Sequence, residues 1–363
     1  MKNTLANFFL GGLGLLGSLA LAHTSRAQEG ASSANQGDGS QSVVAAEDIV
    51  AIEPPKDDPN FDLLGEFVGE LDLETGREVI GLQVRPMGND RFEARQYLGG
   101  LPGQDKFSNQ SQPLVGSRSG DFLILSGGPW AVFVEKHQCL VVDRQGKRLG
   151  MLERVHRSSP TLGAKPPEGA MVLFDGKDME QFSVGEMSPE GWLMPGADLK
   201  PMFQDFNMHV EFRLPYMPAQ TGQARGNSGC YLQSRYEVQV LDSFSEAPTF
   251  NGCSSLYRQK SPDLNMCLPP LVWQTYDIAF TAPRWAADGS KVRNARITVW
   301  HNGVKTHNDA EIESKTGAGK AEEPNLLPTK FQNHKDPVRF RNIWVIDRGL
   351  TAVADFPVAV SDK

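Results

Sequence analysis

From Cys230 to Asp242 apolar and polar positions trade places every residue or two. Two short β-forming runs, Cys230 to Gln233 and Tyr236 to Leu241, flank the turn-prone pair Ser234-Arg235, and this spacing predicts a tight hairpin. In the second run Val238 and Val240 point to one face and Glu237 and Gln239 to the other, so one face enters a core and the other carries polar groups. Strict alternation sets Asp242 opposite Glu237. A β-bulge near Leu241 would return it to the polar face and line one groove with an acid, an amide and a second acid. Upstream, Arg225 and Asn227 add donors, and Gly226 and Gly229 allow close backbone approach. The rival reading is an ordinary half-solvated strand with Glu237 and Gln239 merely exposed.

Short runs of this kind recur through the chain and predict an all-β protein. Before the hairpin they fall at Val79 to Val84, Arg91 to Tyr97, Asp121 to Leu125, Trp130 to Glu135 and Cys139 to Asp143, with Gly-rich turns between them, and predict a small antiparallel barrel or curled sheet over 61–157. Residues 158–170, with Pro160, Pro166 and Pro167, read as a linker. A second domain over 171–350 contains Met208 to Arg213, the hairpin, Gln274 to Phe280, Ala295 to Trp300 and Val338 to Ile346. Asn302-Gly303 there is a hairpin turn, because both positions favour positive φ. Many strands without helical spacers imply a two-sheet sandwich.

Composition narrows the partners. A net charge of −8 argues against a general nucleic-acid binder. Lys2, the apolar run Phe8 to Ala22 and small-residue sites up to Ala27 read as a signal peptide over 1–27, too short to span a membrane. Export to the periplasm or the extracellular space follows, with no membrane anchor after cleavage. Residues 28–60, rich in Ser, Gly, Ala, Gln and acids, read as a disordered spacer, and 351–363 as a tail. Export permits disulfides, and Cys253 and Cys267, flanking one loop, are the expected pair; Cys230 and Cys139 lie in strand runs. No zinc-type Cys spacing, His-Glu-x-x-His or phosphate loop occurs.

An ordered set of motifs spans about Met171 to Gly349: Leu173-Phe-Asp-Gly-Lys177, Asp205-Phe206 with Glu211-Phe-Arg213, Arg225-Gly-Asn-Ser-Gly229, Tyr236-Glu-Val-Gln-Val-Leu-Asp242, Trp273-Gln-Thr-Tyr-Asp277, Asn302-Gly303 and Arg341-Asn-Ile-Trp344. Together they resemble the 3-keto-disaccharide hydrolase domain family. The resemblance implies a concanavalin A-like jelly-roll β-sandwich, similar to family 16 glycoside hydrolases. It also implies cleavage of glycosides already oxidised at C3, and so a functional link to a C3-oxidising sugar oxidoreductase. Two departures stand out. Asn333 replaces an acid of the family's Leu-Gln-Asp-His-Gly segment, and Glu237-x-Gln-x-x-Asp242 has a neutral middle residue where family 16 has an acid. The second departure speaks against the ordinary retaining mechanism, which needs two close carboxylates.

A ketone at C3 acidifies the C2 proton, so a base can remove it, the C1 aglycone can leave, and water can add back. Such a site needs a base, an acid for the leaving oxygen, and donors or a divalent metal ion for the enolate. Within the resemblance, Glu237 and Asp242 are the expected central acids and His334 the second proton carrier. Arg225, Asn227, Gln239 and Arg341 are the expected donors, with Tyr257 or Trp273 as a sugar-stacking face. The residues name no metal ligand set. The competing function is a non-catalytic, lectin-like carbohydrate-binding module.

Overall fold

The structure, a computed structural model, describes residues 49–350. A closed barrel and a two-sheet sandwich pack together in one compact unit. The barrel comprises β1 (Gly65–Leu73), β2 (Gly76–Pro86), β3 (Arg91–Leu98), β4 (Ser111–Ser119), β5 (Phe122–Ser126), β6 (Trp130–Val134), β7 (Gln138–Asp143) and β8 (Arg148–Val155). Each strand pairs antiparallel with the next, and β8 returns to β1 through Glu66↔Val155 and Leu71↔Gly150. Alternation fills the interior: Phe67, Leu82, Val84, Phe92, Leu125, Val134 and Leu152 point inward. The sequence reading missed β1, β4 and β8, whose apolar signal is interrupted by Gly65, Gly69, Pro113, Gly116 and Gly150. Two of these glycines are needed where β1 meets β8. A Cβ on Gly69 would lie 2.1 Å from the Met151 carbonyl oxygen, and one on Gly150 2.4 Å from that of Glu70.

The sandwich strands are β9 (Met171–Phe174), β10 (Phe182–Val184), β11 (Ala197–Leu199), β12 (Asp205–Arg213), β13 (Ser228–Leu232), β14 (Tyr236–Val240), β15 (Trp273–Thr281), β18 (Ala295–His301), β19 (Val304–Ile312), β20 (Lys330–Phe331) and β21 (Arg339–Gly349), with a small side ribbon of β16 (Arg284–Trp285) and β17 (Lys291–Arg293). The large sheet runs β19-β18-β15-β12-β21-β9 and the small sheet β10-β11-β20-β13-β14. Cys230, Leu232, Val238 and Val240 of the small sheet pack against Met208, Phe212, Ile278 and Phe280 of the large one. Tyr236 meets Phe280 at 5.5 Å and Phe331 meets Phe340 at 4.9 Å between ring centroids, and the Tyr276 hydroxyl crosses the core to donate to the Gln239 carbonyl at 2.6 Å. Asn302 (φ 50°) and Gly303 (φ 77°) make the expected turn between β18 and β19.

Several expectations change. The hairpin loop has three residues, Gln233 to Arg235, rather than two; Gln233 and Ser234 both take positive φ, and Leu232 pairs with Tyr236. Cys253 and Cys267 form no disulfide. All four cysteines are free and buried; Cys253 Sγ lies 3.0 Å from the Tyr276 hydroxyl and Cys267 Sγ 3.6 Å from the Leu241 carbonyl, with burial holding Cys267 well above the ordinary thiol range. Within the expected spacer, residues 49–60 are docked rather than disordered: Ala51 exchanges backbone hydrogen bonds with Tyr216, whose hydroxyl donates to Asp58 at 2.6 Å. The signal peptide, residues 28–48 and the tail lie outside the described residues. The expected linker, 158–170, is a strap laid on the large sheet. Ser159 and Thr161 are buried there, 2.6 and 2.9 Å from the Thr275 hydroxyl. β2 ties the barrel to the sandwich through Arg85, which bonds the Phe244 carbonyl (3.1 Å) and Glu246 (2.6 Å).

Candidate functional site

The polar edge of the hairpin is a buried carboxyl with few partners. Register sets Tyr231 of β13 directly opposite Glu237 of β14, both on the outward face, while Cys230 and Val238 face the core. The Tyr231 hydroxyl donates to Glu237 Oε2 at 2.7 Å. Gly229 leaves room for the other oxygen, since a Cβ there would lie 2.4 Å from Glu237 Oε1. The Gln239 amide nitrogen faces the strand, donating to Glu237 Oε1 at 2.9 Å and to the Ser228 carbonyl at 3.0 Å, because the reverse orientation would set its oxygen against these two acceptors; its outer end lies 3.1 Å from Gln223 and 3.3 Å from Asn227. Glu237 is only 4% exposed. Burial drives its pKa up, opposed by the Tyr231 hydrogen bond and the Lys330 charge, and it settles at about 7.

Around this pair lie further charged and polar groups. The Lys330 ammonium sits 5.2 Å from the Tyr231 ring centroid, and the Gln332 amide nitrogen is 3.4 Å from the Tyr231 oxygen. Half-buried Tyr257 donates its backbone N–H to the Glu237 carbonyl at 3.3 Å, with Arg258 over its ring at 5.6 Å. Asp336 accepts the Asn227 backbone N–H at 2.6 Å. Burial raises its pKa, against the Asn227 hydrogen bond and the charge of exposed His334. Among the described residues no group of three His, Cys, Asp or Glu side chains is placed to hold a metal ion.

A second polar cluster lies on the outer face of the large sheet, beneath the strap. His209 Nδ1 is 2.5 Å from Asp277 and its Nε2 3.6 Å from Glu211. Glu211 also accepts from Arg341 (2.7 Å), the Asn342 amide (2.8 Å) and the Gly163 backbone N–H (2.6 Å). Burial would lower the His209 pKa, but its hydrogen bonds to Asp277 and Glu211 reverse the direction and raise it. Burial likewise pushes Glu211 up, and its four donors overcome that and bring it to about 2. Trp344 stacks on His209 at 5.1 Å, and Thr161 donates to Asp277 at 2.7 Å. His209, Glu211 and Asp277 each have two or more polar partners and are fully or almost fully buried. This is a structural ion network.

Residues 169–346 match the 3-keto-alpha-glucoside-1,2-lyase-like domain. A candidate glycosyl hydrolase from Parabacteroides distasonis ATCC 8503 is 34% identical over 50% of this chain and 84% of its own, with a TM-score of 0.46. The chain belongs to this lyase-like domain family. A second candidate glycosyl hydrolase from the same organism is 17% identical, over 53% of this chain and 98% of its own, at a TM-score of 0.37. No curated protein matches the chain. The family match takes in the sandwich and leaves out the barrel.

Within this lyase-like domain the sequence-derived residues divide. Glu237, Gln239 and Asn227 come together, Tyr257 touches Glu237, and His334 lies beside Asp336. Asp242 does not join them. β14 ends at Val240 with no bulge, and the Asp242 carboxylate, 1% exposed, pairs with Arg225 at 2.6 Å. Arg225 is thereby removed as a substrate donor; its Nη1 also reaches the Pro86 carbonyl of the barrel at 3.1 Å, so the pair is a tie between domains. Trp273 and Arg341 sit on the large sheet instead, Arg341 4.0 Å above the Trp273 ring and Trp192 edge-on to it at 5.5 Å. Sequence reasoning missed Tyr231, Lys330 and Asp336. A three-residue loop in place of the two-residue turn would have exposed Tyr231, because that one-residue change in register sets it against Glu237.

Proposed function

We propose that this chain cleaves glycosides that carry a ketone at C3, by elimination followed by hydration. The observation that carries the reading is Glu237, a nearly buried carboxyl with a pKa of about 7, held by the Tyr231 hydroxyl. Such a group takes and returns a proton at neutral pH. Ionised, Glu237 removes the proton at C2. The electron pair moves toward the C3 oxygen, where the Lys330 and Gln332 donors favour the enolate. The C1–O bond then breaks, and the leaving oxygen takes a proton from the His334–Asp336 side. Water adds to C1 of the resulting enone, giving its proton back to the His334–Asp336 side, and Glu237 returns its proton to C2, so the net reaction is hydrolysis. The lyase-like family and the lack of a second acid beside Glu237 on β14 support this route over direct displacement.

The test uses matched pairs of native and 3-keto disaccharides and follows sugar release. Release from the keto compound alone, abolished in Glu237→Gln, is the expected result. Equal release from both members would point to ordinary glycoside hydrolysis. Binding without release would favour a carbohydrate-binding module.

A further inference from the structure

We propose that the end of the barrel formed by the β1–β2, β5–β6 and β7–β8 turns is a second carbohydrate site, separate from Glu237. These turns surround a cavity of about 780 Å³, within the range of small-ligand pockets. Leu73, Trp130 and Leu149 line it, and all three are apolar side chains left half-buried against the barrel core. The Trp130 indole N–H donates to Gln96 at 2.6 Å, which fixes the ring and leaves the cavity its apolar surface. The rim is polar and of mixed sign: Asp72, Glu74 and Asp143 face Arg144 and Lys147, with Thr75 and Gln145 between them. Asp143 shapes one side by accepting the backbone N–H groups of Gln145 and Lys147, both at 2.9 Å.

A fixed indole and two leucines, ringed by closely spaced donors and acceptors of nearly balanced charge, suit a neutral ligand with one apolar face and a hydroxylated edge. A pyranose is such a ligand. The choice of a glycan over other neutral ligands rests on the reading that the sandwich acts on glycosides. The cavity's lining comes wholly from the barrel, outside the residues matched by the family. It would hold a longer glycan while the sandwich works on one end.

Affinity electrophoresis and tryptophan-fluorescence titration of the full chain as Glu237→Gln, against dextran, laminarin, xyloglucan and galactomannan, test the site without turnover. At least one polysaccharide is expected to bind, with affinity reduced about tenfold or more in Trp130→Ala, a change equivalent to about 1.4 kcal/mol. Trp130→Phe should retain affinity within a few-fold. Should Trp130→Ala fail to fold, Thr75→Trp fills the mouth from an exposed turn position and is expected to weaken binding equally. Failure of every polysaccharide to bind, or wild-type affinity in the folded mouth variants, would overturn the proposal. Turnover of a small 3-keto disaccharide by Trp130→Ala separates the two readings: unchanged kcat/KM with lost polysaccharide binding supports the second site. If the wild type shows no turnover but Trp130-dependent binding persists, the Glu237 reading fails and the barrel site stands.

Discussion

Glu237 and Glu211 are the same residue type, on outward faces of the two sheets, and almost equally hidden from water at 4% and 0% exposure. Their pKa values nevertheless part in opposite directions, to about 7 and about 2. Glu211 has a guanidinium, an amide, a backbone N–H and His209 as donors, whereas Glu237 has one phenol and one amide. Burial raises both, and the donor count decides the outcome. The sealed network lowers the energy of the folded chain. The sparsely served carboxyl keeps its proton in play, which is what proton transfer requires and what a stable ion pair prevents.

Exchanging the roles experimentally should break this contrast cleanly. Glu237→Gln is expected to reduce kcat on a 3-keto disaccharide by about 10²–10⁴-fold, the range for losing a positioned acid or base. Its melting temperature at neutral pH should stay level or rise. Glu211→Gln should do the reverse: about 1–3 kcal/mol of stability lost in urea unfolding, because His209 is left with Asp277 alone and half-buried Arg341 loses its carboxylate, and kcat per folded molecule nearly unchanged. A Glu211 variant that folds normally but is inactive would move the chemistry to the large sheet.

That contrast marks where the sequence was readable. Alternation in Tyr236 to Val240 named Glu237 and Gln239 because a strand's period is independent of its neighbours. Most sandwich strands, and five of the eight barrel strands, showed the same local pattern. What stayed hidden depends on pairing and path. Tyr231 needed the loop length, Asp242 needed the strand's true end, and the role of 158–170 needed the surface beneath it. Nothing in Ser159 or Thr161 alone announces that their hydroxyls reach Thr275. Arg341 and Trp273 belong to the family-like motifs, yet here Arg341 stacks on Trp273 and pairs with Glu211 on the large sheet, away from Glu237.

The pH dependence of stability sharpens the comparison further. Glu237 has its folded pKa raised from 4.5 to about 7, so the folded state binds a proton the unfolded chain has released, and stability falls as pH rises across that window. The total is about 3 kcal/mol. Glu211 runs the other way: its contribution is complete above 4.5 and is lost as pH falls toward about 2. His209, with its folded pKa raised above 6.5, contributes fully below that value and loses its contribution as pH rises through the folded pKa. The stability gap between Glu237→Gln and the wild type should therefore widen between pH 4.5 and 7 and then level off. A constant gap would mean that Glu237 ionises as an ordinary surface acid.

The smallest expected effect isolates a single hydrogen bond. Tyr231→Phe removes the phenol that favours ionised Glu237 and leaves the burial that opposes it. A hydrogen bond to a charged group is worth about 1.5–3 kcal/mol, and the Gln239 amide, already on Oε1, keeps part of the carboxylate's support. The midpoint of the rising limb of kcat/KM against pH should then move up by about one unit. Below that midpoint the variant should be about tenfold slower than the wild type, and the deficit should shrink at higher pH, where Glu237 is ionised in both. Loss of packing alone would lower the rate equally at every pH. A uniform loss would thus make Tyr231 a supporting wall, whereas a displaced limb would show that it sets the proton affinity of Glu237.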